Sequence, residues 1–95
     1  MSQIEMSELM VKAKSGDKSA FSRIYKETVD GLYFFSLMLF ADEQKALGLT
    51  QDVYSTVYEE LNQHSEDVNV ESLLHNIAIN KYLQSLDSGI FSSLN

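Results

Sequence analysis

At 95 residues, with 44% hydrophobic residues and neither cysteine nor proline, the chain is long enough for one domain around a single apolar core. Its net charge of −7 is unevenly placed: residues 1–45 have six basic and seven acidic side chains, whereas residues 46–95 have Lys81 alone against Asp52, Glu59, Glu60, Glu66, Asp67, Glu71 and Asp87. Autonomous gripping of nucleic acid needs clustered Lys or Arg, because phosphate contacts draw their free energy from counterion release, and an anionic membrane surface asks for the same charge.

Without cysteine there is no disulfide framework, thiolate nucleophile or cysteine-ligated metal site. The opening Met1-Ser2-Gln3-Ile4-Glu5 has no basic flank or apolar segment of signal-peptide type, and no apolar run reaches membrane-spanning length. The expectation is a cytoplasmic chain whose partners are proteins.

Ser2 and Glu5 have capping-box spacing, and Met6, Leu9, Met10 and Ala13 then recur at helical intervals until Ser15-Gly16 ends the segment. Asp17 is a good N-cap for a second helix, with Phe21, Ile24, Tyr25, Thr28, Leu32 and Phe35 on its apolar face, reaching about Phe40. Residues 32–40 are apolar nearly all round. Such a segment is ordinarily a core-spanning helix, the alternative being an exposed partner groove.

Asp42 begins a third helix with Ala46, Leu49, Val53, Val57 and Leu61 on one stripe. Gly48 within it costs about 1 kcal/mol relative to alanine and marks a close approach or a bend. Residues 63–69 form a polar connection, and a fourth helix is expected over 70–86 with Leu73, Leu74, Ile77, Ala78 and Leu83 apolar. Gly89 reads as its stop, so the division is a helical domain over 1–87 and a short tail over 88–95, whose Ile90, Phe91 and Leu94 fold back or meet a partner. No strand-type alternation is sustained, and the fold class is all-α, a compact bundle of about four helices.

Little points to catalysis or metal chemistry. Glu60 and His64, and Glu71 and His75, are each four apart and share a helix face, but the Glu-x-x-His spacing of di-metal bundles is absent. Both histidines are expected to be exposed near helix ends. There is no nucleophile elbow, phosphate-cradling glycine loop or catalytic carboxylate pair, so no enzyme activity, metal or cofactor is expected. Lys12, Lys14, Lys18, Arg23 and Lys26 are interleaved with Glu8, Asp17 and Glu27 and read as solvated helix faces.

The run Ala13-Lys14-Ser15-Gly16-Asp17-Lys18-Ser19-Ala20-Phe21, then Ile24-Tyr25, Leu32-Tyr33 and Asp42, resembles the N-terminal helical domain (region 2) of the extracytoplasmic-function sigma factors of bacterial RNA polymerase. Ala46, Leu49, Gln51, Asp52, Val53 and Tyr54 look like the helix that in that family docks on the polymerase clamp. Leu73-Leu74, Ile77-Ala78 and Asn80 look like its promoter-reading helix. The departures are local. Leu47-Gly48 stands where the family usually has Glu-Asp, Asn76 and Ile79 where it has arginines, Asp87 and Ser88 where further basic residues occur, and Leu73 where an aromatic is usual.

The resemblance implies a sigma-like interaction module whose partner-binding residues are Leu47, Gly48, Gln51, Asp52, Ser55 and Tyr58. It also implies degenerate DNA-facing positions at Asn76, Ile79, Asn80 and Asp87, with weak or no autonomous DNA binding. The implied partners are the RNA polymerase core or an anti-sigma protein. A separate helix-turn-helix subunit joins them, since the family's second helical domain has no counterpart in these residues. The competing expectation is a working sigma domain that opens and reads promoter DNA only within the holoenzyme.

Overall fold

The computed structural model describes the backbone of residues 1–65 and 67–94 and the side chains of residues 1–65 and 67–86. Among these the chain is all-α: α1 (Gln3–Lys14), α2 (Lys18–Phe40), α3 (Glu43–Glu59), a 3-10 turn (Leu61–Gln63) and α4 (Val70–Leu94). Each start is set by a short polar side chain that satisfies an orphan backbone N–H. Ser2 Oγ accepts from Glu5 N at 3.1 Å, Asp17 Oδ1 from Ser19 N at 3.0 Å and Ala20 N at 3.2 Å, Asp42 Oδ1 from Lys45 N at 3.0 Å, and Asn69 Oδ1 from Ser72 N at 3.0 Å. Gly16, at φ 100°, turns the chain out of α1. Ala41, with φ 53° and ψ 34°, does the same after α2 in a left-handed conformation that glycine usually fills.

α2 packs against the other three helices. Its inward stripe of Ala20, Ile24 and Leu32 meets Met6, Met10 and Ala13 of α1, Leu49, Val53, Tyr54 and Val57 of α3, and Val70, Leu74 and Ala78 of α4 in one core. The α2–α3 seam also holds buried hydroxyls, each with a partner. Thr28 Oγ1 donates to Ile24 O at 2.7 Å and lies 2.6 Å from the Tyr54 hydroxyl. Two turns further along α2 and one turn back along α3, Ser36 Oγ donates to Leu32 O at 2.9 Å, and Thr50 Oγ1 donates to Ala46 O at 2.7 Å with Ser36 Oγ 3.3 Å away. Two side chains of α1 tie down the connection before α4: Lys14 Nζ donates to His64 O at 2.6 Å and Gln3 Nε2 to Val68 O at 3.1 Å.

Four expectations are corrected. α4 does not stop at Leu86 or Gly89 but continues to Leu94, so the boundary between 1–87 and 88–95 falls inside a helix; one glycine costs a helix only about 1 kcal/mol, and no proline follows to enforce a break. The fold-back of Ile90, Phe91 and Leu94 lies outside the described side chains. Gly48 marks no close approach, since a Cβ built there meets nothing within 4 Å. His64 and His75 are half-buried rather than exposed; His75 stacks on Phe35 with ring centroids 4.5 Å apart, because its place on α4 faces α2. Lys14 is not simply solvated, being spent on the His64 carbonyl.

Candidate functional site

α3 sorts its residues by helical phase. Ala46, Leu49, Thr50, Val53, Tyr54 and Val57 are buried, while Leu47, Gly48, Gln51, Asp52, Ser55 and Tyr58 are all exposed. The six sequence-selected residues therefore lie on one outward face, but they do not form one spot. Residues 48 and 58 are ten positions apart, about 15 Å along the axis.

At the N-terminal end of α3, Gly48 and Asp52 border a groove of about 650 Å³. Its floor and far wall come from Leu39 and Phe40 at the end of α2 and from Lys81, Tyr82, Ser85 and Leu86 of α4. Phe40 and Tyr82, both on its lining, meet edge to face with ring centroids 5.0 Å apart. Lys45 joins Lys81 on the lining, so among the described residues two lysines and one carboxylate, Asp52, share the groove with Leu39, Phe40, Leu49, Tyr82 and Leu86. At the C-terminal end Tyr58 leans on Phe21, centroids 5.1 Å apart at 76°, over the turn through Gly16, Asp17 and Lys18.

On α4, Asn76, Ile79 and Asn80 are exposed, and the side chain of Asp87 lies outside those described. Leu73 is half-buried. This surface offers amides and aliphatic carbon where phosphate binding would require cations.

The groove is the feature that the linear reading missed. Lys81, the lone cation of the second half, lies three residues after Ala78 and seven after Leu74, on the buried stripe of α4. A lysine in that register signals a break in the packed surface, where an apolar stem lies against the helices and the amine reaches open space.

Chemically the site can hold a polar group from another protein against aromatic and aliphatic walls, with Asp52 as its acceptor. Among the described residues no three His, Cys, Asp or Glu side chains gather to hold a metal ion. Glu60 Oε2 and His64 Nε2 stand 3.7 Å apart, but Glu60 caps α3 and His64 follows the 3-10 turn, so the two do not share a helix face. No helix among the described residues is long and apolar enough to cross a membrane. Compared with protein-family models, curated proteins and solved structures, the chain matches none.

Proposed function

We propose that the chain is a non-enzymatic interaction module of transcription control, similar to region 2 of extracytoplasmic-function sigma factors, that docks the RNA polymerase clamp or an anti-sigma protein through the outer face of α3. The observation that supports it is the sorting of α3. Ala46, Leu49, Val53 and Tyr54, which resemble the family at positions that need only pack, point inward, whereas Gln51 and Asp52 are exposed beside a groove. Packing explains the first set and says nothing of the second. The exposed, uncharged Asn76, Ile79 and Asn80 favour protein over DNA as the partner.

Parallel binding measurements test this. The purified chain is titrated with core RNA polymerase, with anti-sigma proteins, and with promoter DNA opened over its melting region, at two salt concentrations. Saturable binding to polymerase or an anti-sigma protein, without salt-sensitive DNA binding by the isolated chain, is the expected result. Silence toward both proteins sinks the proposal. DNA affinity that arises only in the assembled holoenzyme, and falls as salt rises, favours the promoter-reading alternative.

A further inference from the structure

Charge is missing from one side of the molecule. Residues 31–40 of α2 and the following Ala41 hold none, and residues 72–86 of α4 hold only Lys81, which lines the groove toward α3. In a chain with 21 Asp, Glu, Lys and Arg residues this leaves, among the described residues, an outer surface of α2 and α4 with no acidic side chain between Gly31 and Ala41 or between Ser72 and Leu86. The surface is also apolar. Phe34 is 63% exposed, Met38 82%, Ile79 37%, Leu83 50% and Leu86 43%.

Helical phase places these side chains together. The Phe35–His75 and Phe40–Tyr82 ring pairs mark the seam between α2 and α4. Phe34 and Met38 lie on its α2 lip, one before and three after Phe35, while Ile79 lies on the α4 lip between His75 and Tyr82, with Leu83 and Leu86 in the next turn. With on the order of 200 Å² for a large side chain, the exposed parts amount to about 500 Å², toward the top of the range for a monomer's largest apolar patch.

We propose that this α2–α4 face is where two copies of the chain associate as a two-fold dimer. Electrostatics selects the occupant. Two chains of net charge −7 repel through their acidic surfaces, and this is a face on which they can meet without setting carboxylate against carboxylate. A nucleic acid finds no cation among the described residues of this face, and a basic protein finds its anions only at the rim. Asn76, Asn80 and Gln84 form an exposed row at four-residue spacing beside the apolar one. Each amide both donates and accepts, so the row is complementary to its own two-fold image. Doubled across the axis, the apolar area is about 1,000 Å², and the amide rim brings it into the range of specific interfaces.

Glu27, Asp30 and Glu71 border the face, and Asp87 follows Leu86 in α4, so the dimer tightens as salt screens these acids. Sedimentation velocity of the full chain across concentration, at low and high salt, with Met38→Glu and Leu83→Glu as variants and circular dichroism as the folding control, tests the proposal. Wild-type chain forms a dimer, more completely at high salt, and each variant weakens it by roughly a hundredfold or more while keeping its helicity, because a carboxylate would be buried unpaired. A wild-type monomer up to roughly 100 μM at high salt overturns the proposal, as does a dimer that both variants leave intact. A monomer that instead binds a different protein, and loses it on Met38→Glu, assigns the face to a heterologous partner and also overturns it.

Discussion

The Tyr54 hydroxyl stands 2.6 Å from Thr28 Oγ1, and Thr28 is already donating its only hydroxyl proton to Ile24 O at 2.7 Å, so Tyr54 is the donor of the pair. Tyr54→Phe removes that donor and leaves Thr28 still bonded to its carbonyl, a loss of about 1 kcal/mol. Thr28→Val strands the phenol proton in the core and costs about 1–3 kcal/mol. The double variant recovers part of the larger loss, because no buried donor is left unpaired. Denaturant unfolding of the four proteins in a double-mutant cycle measures this, and equal costs for the two single variants would contradict the assigned direction.

Burial also pushes the Tyr54 phenol up to about 12. The unfolded chain loses this proton near pH 10 while the folded chain holds it, so the stabilisation is complete below pH 10 and is lost as pH rises toward 12. Ultraviolet titration should show one of the five tyrosines ionising late. In Tyr54→Phe that late phase is absent.

Backbone conformation separates three small residues. Gly31 and Gly48 lie within helices, and a Cβ at either meets nothing within 4 Å. Gly31→Ala and Gly48→Ala should each stabilise the fold by about 0.5–1 kcal/mol. Ala41, at φ 53°, presents the opposite case, and Ala41→Gly should relieve left-handed strain of about 1 kcal/mol. Thermal midpoints that move the other way at 31 or 48 would show that glycine serves a need other than folding.

The N-cap of α2 gives an acid limb to stability. The Ser19 hydroxyl, 2.6 Å from Asp17 Oδ1, and after it the Ala20 N–H hold the Asp17 carboxyl below the ordinary value of 3.8. The folded state therefore favours the carboxylate. Its contribution is present above pH 3.8 and is lost as pH falls through the lower folded value. Asp17→Asn keeps a capping oxygen without the charge, so its stability should fall less steeply than wild type at the acid end. Parallel pH profiles for the two proteins would contradict a charged cap.

Three helices were legible because their starts are spelled by single side chains: Ser2, Asp17 and Asp42 each act on the next turn of backbone, and local chemistry needs no tertiary context; the Asn69 cap of α4 went unread, and that helix showed only through its apolar spacing. The outward face of α3 was legible for the same reason, since period 3.6 alone separates Gln51 and Asp52 from Val53 and Tyr54. The groove was not. Lys45 and Lys81 are 36 residues apart, and only the crossing of α4 over the end of α2 brings them to one cleft. The half-burial of residues 32–40 was hidden too: an all-apolar segment has no periodicity to show which side faces water, so Phe34 and Met38 resembled core until packing exposed them.

Asp52 is the residue at which the proposed docking and the promoter-reading alternative diverge. It is exposed on α3 and, among the described residues, is the one carboxylate on a groove that Lys45 and Lys81 also line. Asp52→Arg turns two amines and an acid into three cations, while arginine's good helix propensity leaves α3 intact. If a protein partner docks here, like-charge contact and the lost acceptor should weaken binding by about 10- to 100-fold, equivalent to about 1–3 kcal/mol. If the groove instead faces nucleic acid in the assembled enzyme, the added cation should strengthen DNA binding and steepen its salt dependence. Titrating polymerase, anti-sigma protein and opened promoter DNA with both chains, with helicity followed by circular dichroism, separates the two outcomes by sign. Unchanged affinity for every partner would remove this face of α3 from the interface.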